Sequence, residues 1–121
     1  MESYKLGVVE TRFADLVWDH EPIGSGELVR LAGEELDWKK STTYTVIKKL
    51  CDRGILKNEN SVVSSVVSRE QYLARQSRQF VEDTFEGSLP GFLAAFTKEE
   101  ALSDQEIEAL KAVIDNLGKK A

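Results

Sequence analysis

The amino-acid sequence predicts a mostly α-helical protein with one small β element, divided into a head and a helical C-terminal region. Three observations carry this prediction. Apolar residues recur at helical spacing in six segments, a Val- and Ser-rich segment between the third and fourth favours strands, and two Ser-x-x-Gln/Glu capping boxes mark helix starts in the second half. The 121 residues, 41% of them hydrophobic, suffice for one globular domain or two very small ones.

Composition excludes several classes of function. With one cysteine, Cys51, and one histidine, His20, the chain can form neither an internal disulfide nor a cysteine-rich metal site, and we expect no cofactor. No apolar run approaches the ~20 residues that span a bilayer, and the N-terminus lacks a signal-peptide core, so a cytoplasmic protein without a membrane partner is expected. The chain has no glycine-rich phosphate loop and is not expected to be an enzyme.

Two amphipathic helices are predicted in the first third of the chain. The first runs from Leu6 to His20, because its apolar residues form a helical stripe: Val9, Phe13, Leu16 and Val17. Ile23 is compatible with a minimal strand. The second helix runs from about Glu27 to Glu34, with Ser25 as its expected N-cap.

The third predicted helix, which ends before Gly54, has two faces of different chemistry. Val46, Ile47 and Leu50 lie on one side, as a core requires. The other side and the helix start carry hydroxyls, a phenol and lysines: Lys39, Lys40, Ser41, Thr42, Tyr44, Thr45, Lys48 and Lys49. Small hydroxyls allow close approach to a DNA major groove, where these side chains can bond phosphates or base edges. The alternative is the solvated face of an ordinary amphipathic helix.

The distribution of charge favours the DNA interpretation of that face. The chain has a formal net charge of −5, which argues against an indiscriminate binder of polyanions. From Trp38 to Asn60, however, six basic and two acidic residues give +4, so the rest of the chain sums to −9. Positive charge is therefore concentrated on the one segment that already resembles a groove-reading helix.

A short hairpin is predicted from Ile55 to Val67, after a left-handed cap at Gly54 and with a turn at Asn58 to Asn60. It contains no arginine and no aromatic residue that could reach a DNA backbone or minor groove. Helix, short strand, helix, turn, helix and hairpin together form a winged helix-turn-helix head, predicted for residues 1–67.

Residues 68–121 are predicted to form a C-terminal helical dimerisation domain. Capping boxes at Ser68 and Ser103 start a long helix and a last helix, and a short apolar helix from Leu89 to Phe96 lies between them. The last helix carries an apolar seam of the kind that packs on another helix. Three amphipathic helices with little else to cover them favour a partner subunit over packing within the chain. The predicted dimerisation residues are Phe80, Phe92, Phe96, Ile107, Leu110 and Ile114.

Motifs along almost the whole chain resemble the penicillinase-repressor family of bacterial transcription regulators, the BlaI/MecI/CopY type. They lie, in order, at residues 6–10, 16–18, 37–38, 41–45, 50, 53–56, 67–72, 87–90, 93–96 and 102–107. The resemblance implies a transcriptional repressor that binds a palindromic double-stranded DNA operator as a homodimer through two winged-helix heads. It assigns the operator contacts to Ser41, Thr42, Tyr44, Thr45 and Lys48.

The resemblance also implies inactivation by a protease that cuts the dimerisation region just before a phenylalanine, here between Ala95 and Phe96. This sequence departs from the family pattern in three respects. Ala95 stands where the best-known relatives have Asn, and the hairpin is shorter than is usual and lacks its basic and aromatic residues. The cysteine cluster of the copper-responsive branch is absent, so no metal response is expected. The acidic net charge and bare hairpin keep an alternative function open, a winged-helix protein-interaction module that has lost DNA binding.

Overall fold

The computed structural model describes residues 6–118, which form six helices and a three-stranded antiparallel sheet. The predicted fold class, a winged-helix head with a helical C-terminal region, is confirmed. In chain order the elements are α1 (Val8–His20), β1 (Ile23–Gly24), α2 (Ser25–Leu36), α3 (Lys40–Asp52), β2 (Leu56–Glu59), β3 (Val62–Ser65), α4 (Arg69–Phe85), α5 (Leu89–Glu99) and α6 (Asp104–Gly118).

The chain divides into two compact units. The first ends at Arg78 and the second begins at Gln79, so the boundary falls inside α4. Residues 6–78 are called the head below, and residues 79–118 the tail. Compactness assigns no function to either unit, and the predicted separation of DNA-binding and dimerisation domains after residue 67 stays a prediction.

The head is built around a closed hydrophobic core to which α1, α2, α3 and all three strands contribute. Its fully buried large side chains are Phe13, Val17, Leu28, Leu50, Ile55, Leu56 and Val63. The ring of Phe13 stacks on Trp38, with 5.2 Å between centroids. Each such side chain contributes roughly 1.5–3 kcal/mol through its removal from water. The core thereby fixes the side on which α3 is buried.

The sheet has the strand order β1-β3-β2, with β3 in the middle. Glu59 pairs with Val62, and the hairpin turn lies at Asn60 and Ser61, whose φ angles of 54° and 64° are left-handed. The predicted turn at Asn58 to Asn60 was therefore wrong in position. The reason is register: Val63 must face the core, and this places Asn58 opposite it inside the ladder.

Several predicted helix ends are confirmed. The Ser68 hydroxyl accepts from the Gln71 N–H at 3.1 Å, and the Ser103 hydroxyl accepts from the Glu106 N–H at 3.1 Å, as capping boxes require. Gly54, at φ 78°, closes α3 with an N–H bond to the Cys51 carbonyl. Ser25 was predicted to be the N-cap of α2, but Gly24 occupies that position. Ser25 is instead the buried first residue of the helix.

The tail differs in that α5 and α6 bury no residue at all. Its aromatic rings form a chain of contacts, Phe85 with Phe92 at 5.6 Å between centroids and Phe92 with Phe96 at 5.8 Å. Large apolar side chains nevertheless face solvent, among them Phe80, Phe96, Val113, Ile114 and Leu117. Among residues 6–118, no helix combines the length and hydropathy that crossing a bilayer requires.

Candidate nucleic-acid interface

The outward face of α3 is the candidate interface. Thr43, Ile47 and Leu50 turn inward and are buried, and the opposite side of the helix is consequently presented to solvent. Every residue that the sequence assigned to DNA contact is exposed: Lys39, Lys40, Ser41, Thr42, Tyr44, Thr45, Lys48 and Lys49. The structure thus brings these residues to one helix and its start. Their contact with DNA stays a prediction.

Hydroxyl groups on this face are short and partly committed to the helix backbone. The Thr45 hydroxyl donates to the Ser41 carbonyl oxygen at 2.9 Å, which leaves its own oxygen free to accept. The amino groups of adenine and cytosine are the donors that a major groove offers to such an acceptor. The small side chains at both positions also let a backbone come close to a base edge.

Tyr44 lies at one flank of the interface and is 38% exposed. Its phenol oxygen is 3.4 Å from the Ser25 hydroxyl at the start of α2. The Ser25 backbone N–H in turn donates to the carbonyl of Ser61, in the hairpin turn, at 2.8 Å. Ser25 therefore connects α3 to the hairpin. The sequence around Ser25 predicts only a helix cap, because no local pattern indicates its contact with Tyr44, which lies 19 residues further along the chain.

Two of the four lysines of the interface, Lys48 and Lys49, form different ion pairs. Lys48, whose side chain is 78% exposed, forms an i,i+4 pair with Asp52 at 3.2 Å. Such an exposed pair contributes little, about 0.5 kcal/mol or less, so Lys48 can exchange it for a phosphate. The Lys49 ammonium instead lies 2.7 Å from the Glu10 carboxylate on α1.

Glu10 is the centre of a small charged cluster between α1 and α3. Only 19% of its side chain is exposed, and besides Lys49 it contacts the Arg53 guanidinium at 3.5 Å and the Gly7 N–H at 3.1 Å. The hydrogen bond from Lys49, and after it that from Gly7, holds the pKa of Glu10 below its usual value. Glu10 could not be identified from the sequence, because its partners Lys49 and Arg53 are distant in sequence and the local pattern shows only its position in the first turn of α1.

The hairpin formed by β2 and β3 adds little positive charge to the interface. Its one basic residue, Lys57, lies 3.8 Å from the carboxylate of Glu59, whose side chain is 72% exposed. Val62, next to the turn, is 42% exposed. An acidic side chain in this position repels phosphate, so the hairpin contributes little attraction for DNA.

Cys51 and His20 are the remaining groups that the sequence identified as candidates for metal binding or catalysis. Within residues 6–118, no three His, Cys, Asp or Glu side chains lie together in a way that could hold a metal ion. Burial raises the pKa of the Cys51 thiol, which disfavours the reactive thiolate at neutral pH. The Nδ1 atom of His20 hydrogen-bonds the backbone carbonyl of Leu16 at 2.9 Å.

The predicted dimerisation residues fall into two groups. Phe80, Phe92 and Phe96 belong to the chain of rings, and Phe80 and Phe96 are half exposed. Ile107, Leu110 and Ile114 lie on α6, where Ile107 and Ile114 are exposed. Ala95 and Phe96, the predicted cleavage position, lie inside α5. Their roles stay predictions.

Comparison with known proteins places the chain among relatives of similar length. It is 22% identical over 118 residues to the methicillin resistance regulatory protein MecI of Staphylococcus aureus, covering 94% of this chain and 96% of that one. It is 21% identical to the penicillinase repressors of Bacillus licheniformis, over 92% of this chain and 90% of that one, and of Staphylococcus aureus, over 98% of each. The penicillinase repressor family model matches residues 6–116. The protein therefore belongs to the penicillinase repressor family.

Proposed function

We propose that the protein is a DNA-binding transcriptional repressor that acts as a homodimer on a palindromic operator in the cytoplasm. The observation that carries the proposal is the exposed row of hydroxyls and lysines on α3, directly opposite the buried side of the same helix. A helix of this kind can enter a major groove with its backbone close to the bases. Family membership and the names of the relatives support the same function.

Dimerisation is proposed from the tail. Seven apolar residues and Glu106 line a groove of about 390 Å³ between α5 and α6, the apolar ones being Phe92, Leu93, Phe96, Leu102, Ala109, Leu110 and Val113. An open apolar groove beside exposed Val113, Ile114 and Leu117 is unfavourable in water, and a second copy of the tail would cover it. Two linked heads bind much more tightly than one, since the second contact becomes intramolecular.

We further propose that proteolysis between Ala95 and Phe96 relieves repression. A cut there would separate α6 and the end of α5 from the rest of the chain, and with them six of the eight residues that line the groove. Both residues lie within the helix, so α5 must first open locally for a protease to take an extended backbone. Mass spectrometry of fragments produced during induction in the cell tests this step, and a cut elsewhere would overturn it.

Substitution of Lys48 tests the proposed interface most directly. We expect Lys48→Glu to weaken operator binding at least about tenfold and to reduce the salt dependence, because a phosphate-binding cation becomes an anion in each head. The matched control is Lys111→Glu. Lys111 is also an exposed lysine in an intrahelical pair, with Glu108 at 3.7 Å, but it lies on α6.

Gel shifts with an operator duplex at fixed salt measure the affinity, and size-exclusion chromatography measures the oligomeric state of each variant. Equal affinity of Lys48→Glu and wild type, with both dimeric, would overturn the assignment of α3. The acidic Glu59 at the hairpin favours one other function, a protein-interaction module that has lost DNA binding. Calorimetry with a generic duplex at low salt separates the two, because a module without DNA binding gives no heat and no salt dependence.

A further inference from the structure

The ion pair between Glu10 and Lys49 withdraws a cation from the candidate interface. On a helix with 3.6 residues per turn, Lys49 lies beside the outward row and one turn after Thr45. Its ammonium nevertheless reaches back to the Glu10 carboxylate, 2.7 Å away on α1. The Lys48 ammonium, one residue earlier, pairs with Asp52 of its own helix at 3.2 Å.

Glu10 is well placed to keep Lys49 in this position. Its two oxygens are shared among Lys49, Arg53 and the Gly7 N–H, and only 19% of its side chain is exposed, so water screens it weakly. The lowered pKa of Glu10 agrees with a carboxylate that stays ionised beside these cations. Lys49 itself is 57% exposed, and the loss of Glu10 would therefore leave it free to move toward solvent.

We propose that Glu10 limits the affinity of the head for DNA of any sequence by keeping Lys49 away from DNA phosphates. The inference rests on the proposed function. Phosphate contacts carry no sequence information, so each additional one strengthens binding to every duplex. In its pair with Glu10, Lys49 holds α3 against α1 and adds nothing to non-operator binding. Affinity for every duplex is lower as a result.

Glu10→Gln is the direct test, with a duplex of unrelated sequence as the probe. Non-operator affinity should rise about three- to tenfold at low salt. The plot of its logarithm against that of the salt concentration should steepen by about one unit for each head that contacts the duplex. Operator affinity should rise by a similar factor, because the added phosphate contact does not depend on sequence. A purely structural ion pair would change the melting temperature and leave the salt slope unaltered.

Glu27→Gln is the matched control. It removes the same charge from another ion pair of the head, that with Arg30 at 2.7 Å. Arg30 remains bound to Glu34, also at 2.7 Å, so this change alters net charge and releases no cation. The double variant Glu10→Gln/Lys49→Gln should return the salt slope to the wild-type value, because the released lysine is gone.

A second variant keeps the inference testable if Glu10→Gln does not fold. The inference removes Lys49 from the predicted DNA contacts, so Lys49→Gln should leave the wild-type salt slope on non-operator DNA unchanged. A Lys49 that contacts phosphate, as the sequence predicts, would give this variant a slope lower by about one unit per head. The inference is overturned by a lowered slope in Lys49→Gln. It is equally overturned by a folded Glu10→Gln whose slope equals that of wild type or of Glu27→Gln. If wild type binds neither duplex, the proposed function is overturned together with this inference. If wild type binds the operator, a failed test overturns only the role proposed for Glu10.

Discussion

The head and the tail bury their apolar side chains in different ways. In the head, Phe13, Leu50 and Val63 have no exposed surface, and the sheet and three helices share one core. In the tail, α5 and α6 bury nothing, and Val113, Ile114 and Leu117 are each more than half exposed. Both regions have amphipathic helices of similar length. The head has a sheet and helices that cover each other's apolar faces, whereas residues 79–118 of the tail have only the end of α4, α5 and α6.

This difference separates two sources of stability. Burial within one chain stabilises the head at any protein concentration. Burial between chains would stabilise the tail only as far as the proposed dimer forms, so its stability depends on concentration. Substitutions in the two regions should therefore differ in kind as well as in size.

The largest effect is expected from a charge in the tail groove. Val113→Glu places a carboxylate at a wall of the groove, where a second tail would have to bury it. We expect a monomer by analytical ultracentrifugation and a loss of operator affinity of about 100- to 10,000-fold, because avidity between the two heads disappears.

The control for that substitution lies in the head. Val66→Glu changes a valine that is 57% exposed, compared with 55% for Val113, and should leave both dimerisation and operator binding nearly unchanged. This expectation would be contradicted if Val113→Glu remained a dimer or if Val66→Glu dissociated equally. Burial within one chain in the head and between chains in the tail would then not be the correct distinction.

The next effect concerns the head core, where two neighbouring residues of β3 provide a matched pair. Val63 is fully buried and Val62 is 42% exposed. Val63→Ala should lower the free energy of unfolding by about 2 kcal/mol through lost burial and the cavity left behind. Val62→Ala should change it by about 0.5 kcal/mol or less. Urea unfolding at several protein concentrations measures both, and the loss from Val63→Ala should not depend on concentration.

Features that depend on local periodicity were predictable from the sequence. The buried and outward sides of α3 follow from apolar spacing within 13 residues, and the structure places Ile47 inward and Lys48 outward. The capping boxes are equally local, as each joins residues three positions apart. The fold class could be predicted because these local signals agree with one another.

Contacts between distant segments could not be predicted in the same way. Glu10 and Lys49 are brought together by the packing of α1 on the rest of the head, and their spacing in the sequence contains no signal of it. The same holds for Ser25 and Tyr44. The hairpin turn was misplaced because Asn58 and Asn60 are equally suited to turns, and only the pairing of β3 with both other strands selects the register.

A smaller effect should show that DNA affinity belongs to the head. Glu59→Lys removes the acidic side chain from the hairpin and releases Lys57 from its pair. Operator affinity should rise about three- to tenfold, and the salt slope should steepen by about one unit for each new phosphate contact. Glu99→Lys makes the same change at the end of α5 in the tail and should alter neither. Gel shifts across a salt series distinguish the two, and an equal gain in both variants would indicate a general charge effect.

The smallest effect is expected from acid, and it again belongs to the head. The pKa of Glu10 is lowered from its usual 4.5 in the folded protein, chiefly by the hydrogen bond from Lys49. A carboxyl with a depressed folded pKa stabilises the protein fully above the unfolded value, and the contribution is lost as pH falls through the folded value. Glu10→Gln should thus lower stability by at most about 1 kcal/mol at pH 7, since Lys49 is largely exposed. The difference from wild type should shrink as the pH falls below 4.5. Urea unfolding of both proteins over this range measures it, and a difference that stayed constant with pH would show that the ion pair contributes nothing to folding.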